Sequence, residues 1–215
     1  MKRDKRNILI SAILILASIV FTILVKVVDV QSVGVKGSNI GFATVNMLVF
    51  NTLGVNMLWY HITDWLGLIP VFIAIGYTIL GVIQLVKIKS LFKVYKEIII
   101  LGIFYIVVIA IYVLFEKVII NYRPILMNGY LEASYPSSHT LMTICLCGSS
   151  IMINKKLFNN KFSKYINIIS VIVILVTVIG RLISGVHWFT DIIGGIIISI
   201  SLLMILHLTI EKIRK

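Results

Sequence analysis

Six long apolar runs, separated by short basic or polar connectors, set the rhythm of this chain. They cover residues 7–25, 66–86, 97–115, 138–153, 165–183 and 188–208. Most approach the ~20 residues that an α-helix needs to cross a hydrocarbon core of about 30 Å. The pattern predicts an all-α polytopic membrane protein with six transmembrane helices. No small-residue cleavage pattern closes the first run, so it reads as a retained span rather than a removed signal peptide. Residues 29–38 form a Gly- and Ser-bearing loop. Residues 40–65 are ambiguous, because Asn46, Asn51, Asn56, His61 and Asp64 break the apolar positions. Two readings stay open there: an interfacial helix with Trp59, Tyr60 and Trp65 at headgroup depth, or a re-entrant segment packed against the other helices.

Composition agrees with the pattern. With 60% hydrophobic and 13% charged residues and a mean hydropathy of +1.07, the 215-residue chain carries more apolar surface than a soluble domain needs. It reads as one membrane domain, residues 1–215, whose motifs lie between residues 117 and 191. A formal charge of +12 would suggest a nucleic-acid partner in a soluble protein. Here the charges follow membrane topology instead, and no nucleic acid is expected. Lys2, Arg3, Lys5, Arg6, Lys87, Lys89, Lys93, Lys96, Lys155, Lys156, Lys161, Lys164, Lys212, Arg214 and Lys215 all fall on the side that holds both termini. By the positive-inside rule that side is cytoplasmic. The other side keeps Lys26, Lys36, Lys117, Arg123 and Arg181, three of which belong to the motifs below. Cys145 and Cys147, inside an apolar run, have neither metal nor disulfide spacing and read as small packing residues.

Residues 122–140, YRPILMNGYLEASYPSSHT, are a polar island holding two of the three prolines. A helix starting at Ser137 or Ser138 would turn unpaired N–H groups and hydroxyls toward a phosphate. Taken alone, a Ser-capped loop with a surface Arg and His explains the island equally well. A second cluster, Arg181, His187 and Asp191, tips the balance. Six spans would bring Lys117, Arg123, Ser137, Ser138, His139, Arg181 and His187 to one outer mouth. Interfacial cations are costly and mark function or pairing; pairing with Glu116, Glu132 or headgroups is the structural alternative. His187 and Asp191, four apart, share a helix face, so the carboxylate can hold one ring nitrogen while the other attacks phosphorus. A capping Asp beside an interfacial His is what that pair would mean in isolation. His139 is free to act as general acid, with Arg123 and Arg181 clamping phosphoryl oxygens and Lys117 as a point charge. Gly185, Gly194 and Gly195 allow close helix approach. No His-x-x-x-His and no carboxylate cluster backs the histidines, so neither a metal nor a cofactor is expected. Trp59, Trp65 and Trp188 read as interface anchors.

These residues resemble the type 2 phosphatidic acid phosphatase superfamily, integral-membrane lipid phosphate phosphatases related to the vanadium haloperoxidases. The family pattern is Lys-x6-Arg-Pro, Pro-Ser-Gly-His and Ser-Arg-x5-His-x3-Asp. This chain has Lys117…Arg123-Pro124, Pro136-Ser137-Ser138-His139 and Gly180-Arg181…His187…Asp191, in that order. The resemblance implies a phosphohistidine on His187, oriented by Asp191, with His139 protonating the leaving group and water then releasing phosphate without a metal. Lys117, Arg123, Ser137, Ser138 and Arg181 would bind the phosphoryl group. Three positions depart from the pattern. Lys117 stands one residue too close to Arg123, with Glu116 in its expected place; Ser138 replaces a glycine, and Gly180 a serine.

By resemblance the chain is a lipid phosphate or diphosphate phosphatase, working at the outer face of a bacterial plasma membrane among membrane lipids. Undecaprenyl diphosphate, phosphatidylglycerophosphate and phosphatidic acid are all candidates, the first being common among small bacterial relatives. The altered motif positions motivate the competing reading, a lipid-phosphate binder or transporter on the same fold. Soluble-phosphoester hydrolysis would require a wide aqueous mouth.

Overall fold

Each apolar run lies in, or at the mouth of, a helix of the computed structural model, which describes residues 2–90, 94–158 and 160–213, with side chains from Lys5 onward. The long helices are α1 (Lys2–Val27), α4 (Leu68–Ile88), α5 (Lys96–Lys117), α6 (Ser138–Leu157), α7 (Lys161–Ile183) and α8 (Phe189–Ile213). Two short helices, α2 (Ala43–Leu53) and α3 (Met57–Leu66), occupy the ambiguous segment. Of the expected cytoplasmic cations, Lys93, Arg214 and Lys215 lie outside the described residues, as do the side chains of Lys2 and Arg3.

Among the described residues, five stretches are long and apolar enough to cross a membrane: Lys5–Val27, Met57–Ile88, Lys96–Lys117, Lys161–Ile183 and Phe189–Ile213. Ile8, Leu16, Phe72, Ile106 and Ile172 are more than half exposed on them. So much outward apolar surface suits lipid rather than water.

The fourth expected span is the exception. Its helix α6 is rich in Ser, Thr and Asn, yet it is the element most enclosed by neighbours, packing on α4, α5, α7 and α8. Its polar groups find partners inside the bundle. The Tyr77 hydroxyl donates to Asn154 Oδ1 at 2.7 Å, and Asn154 Nδ2 donates to Asn167 Oδ1 at 2.9 Å. A helix shielded by other helices does not need a lipophilic surface of its own, which is why hydropathy under-reports it. Cys145 and Cys147 are free thiols buried in this interior.

The stretch over residues 40–65 packs against the bundle. Gly54, at φ 66°, breaks it in a conformation that disfavours a side chain. Asn56 then caps α3 by accepting the Trp59 N–H at 3.2 Å. At Gly67 the backbone stays helical, so α3 leads directly into α4 while lying on α7. Trp65 is exposed, in keeping with an anchor, whereas Trp59 is half-buried near Gly180. Trp188 departs from expectation: it is 2% exposed, its ring packs on Phe50 at 5.5 Å, and its Nε1–H donates to the Tyr122 carbonyl at 2.7 Å. Its role is to clamp the polar island to α8, not to anchor at the interface.

Candidate active site

The polar island folds as an irregular hairpin. Asn128 (φ 51°) and Gly129 (φ 82°) make the reversal, with Met127 and Tyr130 exchanging backbone hydrogen bonds at 3.0 and 2.9 Å. Two consecutive left-handed residues are what a type I′ hairpin turn demands. The arms are tied by Arg123 N–H to Glu132 O at 3.0 Å and Ser134 N–H to Asn121 O at 2.9 Å. One arm thereby carries Arg123 and the other Ser134 to the head of α8.

There His187, 3% exposed, has its Nδ1 at 3.1 Å from both the Ser134 carbonyl and the Ser134 hydroxyl. The hydroxyl proton goes elsewhere, to Asp191 Oδ2 at 2.5 Å. Nδ1 must then be the protonated nitrogen, leaving the Nε2 lone pair free; this tautomer follows from the network. Asp191 is fully buried and also accepts the Trp188 N–H at 2.9 Å and Asn121 Nδ2–H at 3.5 Å. It therefore caps α8, and it reaches His187 through Ser134 rather than directly. That corrects the expected direct carboxylate–imidazole pair, since Asp191 turns back to the Trp188 amide, just before its helix begins at Phe189. Burial, then Arg123, Arg181 and His139, hold the His187 imidazole well below its ordinary 6.5, so it stays neutral at neutral pH.

Ser137 precedes the first turn of α6 but does not cap it with its side chain. Its N–H donates to the Asp191 carbonyl at 3.0 Å, and its hydroxyl accepts from Thr140 Oγ1 at 3.1 Å. Ser138 lines a narrow cavity with His187, Ser134 and Glu116. His139, on the next residue, sets Nε2 at 3.1 Å from Asp64 Oδ1. The same oxygen takes Arg181 Nη2 at 3.3 Å, and the guanidinium lies over the Tyr60 ring at 4.9 Å. Arg181 is 0% exposed, so α3 supplies both its anion and its aromatic face.

Among the described residues, the buried side-chain atoms without a hydrogen-bond partner include His187 Nε2, His139 Nδ1, Arg181 Nε and Nη1, and Arg123 Nε and Nη1. Arg123 Nε does face Glu132 Oε2 at 3.1 Å; the pair is ionic in distance without hydrogen-bond alignment. Buried polar groups of native proteins rarely stay unpaired, and the free guanidinium N–H groups among these call for an anionic ligand, while the His187 Nε2 lone pair is placed to meet an electrophile.

Arg123, His139, Arg181, His187, Asp191, Ser137 and Ser138 are thus gathered at one end of the bundle, where Lys117 also ends α5 but does not line the cavity. Its side chain is exposed on α5, while Glu116 faces the cavity, as a one-residue shift of about 100° on a helix requires. The glycines have steric reasons. A Cβ on Gly194 would lie 2.3 Å from the Tyr135 ring, and one on Gly185 would lie 2.1 Å from the Gly54 carbonyl. Gly180 admits α3, for its Cβ would come within 2.5 Å of Thr63 and 2.9 Å of Trp59. Ser134, Asp64, Tyr60 and Asn46, which caps α8 by accepting the Thr190 N–H at 3.1 Å, are functional neighbours that motif spacing does not reveal. The Asn-Gly dipeptide at 128–129 was the local signal for the hairpin that places Ser134. No group of three or more His, Cys, Asp or Glu side chains among the described residues is arranged to hold a metal ion.

A family model described as the PAP2 superfamily matches residues 103–215, more than half of the chain. The fold is similar to the crystal structure of a transmembrane PAP2-type phosphatidylglycerolphosphate phosphatase from Bacillus subtilis. That match has a TM-score of 0.64 and 16% identity, and it covers 94% of this chain and 96% of the other. No curated protein matches the sequence.

Proposed function

The chain belongs to the PAP2 superfamily, and from that premise we propose that it is a membrane lipid phosphate phosphatase working through a phosphohistidine. The observation that carries the reading is the convergence of unpartnered buried groups: a neutral nucleophilic nitrogen, two guanidinium groups and a second imidazole. A non-catalytic binder needs the cations but has no use for a tautomer-fixed imidazole with a free lone pair.

In this mechanism the phosphoryl oxygens lie between Arg123, Arg181, Ser138 and the first amides of α6, whose dipole favours an anion. His187 Nε2 attacks phosphorus in line. The Nδ1 proton stays against the Ser134 carbonyl, and Asp191, through the Ser134 hydroxyl, keeps the ring from turning. As the phosphorus–oxygen bond of the lipid breaks, His139 gives its proton to the leaving oxygen. Neutral His139 then takes a proton from water, whose oxygen attacks phosphorus and breaks the phosphorus–nitrogen bond, releasing phosphate and restoring His187.

A lateral groove of about 600 Å³, lined by Ile69, Phe72, Ile73, Leu80, Ile166 and Ile169 among others, supports the lipid assignment. It runs along α4, α6 and α7, meeting α6 at Ser150, Asn154 and its C-cap Phe158, and α7 at its N-cap Asn160 and Phe162. Six crossings, with α6 as the shielded one, would put both termini on the cytoplasmic side and this mouth outside. The test is phosphate release by the purified protein in detergent with EDTA. Undecaprenyl diphosphate, phosphatidylglycerophosphate and phosphatidic acid form the panel. Turnover that His187→Ala lowers by at least about 10³-fold is expected; equal release by the variant would sink the mechanism.

A further inference from the structure

Asp64 lies outside the family pattern, on a helix that precedes the region matched by the family model. One of its oxygens contacts both the imidazole placed at the leaving oxygen and a phosphoryl-binding guanidinium, His139 at 3.1 Å and Arg181 at 3.3 Å. Its side chain is half exposed, which leaves it open to a ligand that reaches His139 and Arg181. We infer that Asp64 determines specificity at the leaving-group side: it admits a lipid phosphomonoester whose leaving group is a hydroxyl-bearing alcohol and disfavours a lipid diphosphate. This rests on the phosphatase reading above.

Both substrate types place the same terminal phosphoryl group on His187. They differ in what stands beside His139. A monoester leaves as an alcohol that takes one proton, and its neighbouring hydroxyls can donate to Asp64. A diphosphate leaves as a second phosphate, with negative charge where a carboxylate already stands. The rest of the mouth adds little to offset that charge. Arg123 is opposed by Glu132 at 3.1 Å, Glu116 lines the cavity where the family pattern has a lysine, and Lys117, exposed on α5, does not line it. Arg181 keeps Nε and Nη1 free for the terminal phosphoryl group, so Asp64 competes with the second phosphate rather than the first.

Binding of inorganic phosphate and of pyrophosphate to the full-length protein in detergent, measured by titration calorimetry, tests this without turnover. Wild type should bind pyrophosphate no more tightly than phosphate, despite the larger charge. Asp64→Asn should tighten pyrophosphate by about tenfold and phosphate by less than about threefold, the effect of one opposing charge in a half-solvated mouth. The kcat/KM ratio of diphosphate to monoester lipid should rise by a similar factor. Tenfold tighter pyrophosphate binding by wild type would overturn the inference on its own, even if Asp64→Asn did not fold. Equal changes for both anions would also overturn it, leaving Asp64 a mere support for His139. In either case phosphate would still bind and His187 would still be required, so the phosphatase reading would survive. Binding of neither anion would remove both.

Discussion

Restoring the family's serine at position 180 should damage this protein. Gly180→Ser adds a Cβ that lies 2.5 Å from Thr63 Cγ2 and 2.9 Å from Trp59 Cε3, both on α3. Thr63 is fully buried and its hydroxyl is tied to the Trp59 carbonyl at 2.8 Å, so it has little room to turn. Either the side chains leave their rotamers or α3 lifts from α7. Overpacking of this kind costs about 2 kcal/mol, which lowers the unfolding midpoint of a chain this size by roughly 4–8 °C. Displacement of α3 also withdraws Asp64 from His139 and Arg181, so kcat/KM should fall even though a hydroxyl donor has been added. Thermal unfolding in detergent and phosphate release should be measured on Gly180→Ser and on Gly180→Ser/Thr63→Ala, which removes the clashing methyl. The double variant should recover more than half of the lost midpoint. A single variant as stable as wild type and more active would refute the packing account, showing that the site lacked a serine donor and had space for it.

Ser134→Ala removes the hydroxyl between Asp191 and His187 and leaves a buried carboxylate one donor short, a loss of about 1–3 kcal/mol. If that falls on the nucleophile's orientation, kcat should drop by roughly 10–100-fold with KM changed less than about threefold; a rise in KM alone would contradict a positioning role. Lys117→Ala should change kcat/KM by less than about twofold, whereas Arg123→Ala should cost at least about 100-fold as a buried phosphoryl clamp is lost; equal losses would put the lysine back in the site. Asn128→Cys, at the exposed hairpin tip, should react with an impermeant maleimide on intact cells. Labelling only after lysis would invert the proposed orientation.

Much of this architecture was legible because the bilayer imposes a length and a polarity on every helix it touches. The five lipid-facing stretches declare themselves by hydropathy alone. Helix α6 does not, because burial by protein relaxes the demand: Asn154 and Ser150 sit where Tyr77 and Asn167 satisfy them. The motif residues were legible for a different reason. The proposed phosphoryl transfer needs anion-binding cations and an oriented imidazole, and Arg, His and Asp at the motif spacings can supply them. The departures could be seen, but their consequences could not, since each depends on a neighbour distant in sequence. Gly180 is a lost hydroxyl until α3 is placed beside it, and then it is the space α3 requires. Asp64 is one of several polar interruptions in a confusing segment until α7 brings Arg181 across from 117 residues away.

These two observations bear on each other. A serine at 180 and a closely packed α3 exclude one another sterically, as the Thr63 and Trp59 distances require. The chain gives up a hydroxyl donor at the proposed phosphate site and gains a helix that carries a carboxylate and an aromatic ring to Arg181. The exchange of Lys117 for Glu116 at the cavity acts in the same direction, lowering the positive charge of the mouth. A site altered toward less positive charge at two independent positions, with the proposed nucleophile and acid retained, fits a changed choice of leaving group better than a lost reaction. Loss of catalysis would leave His187 and Ser134 free to drift. Their tautomer-fixing contacts, backed by a buried Asp191, are the part of the site that a binder could discard first.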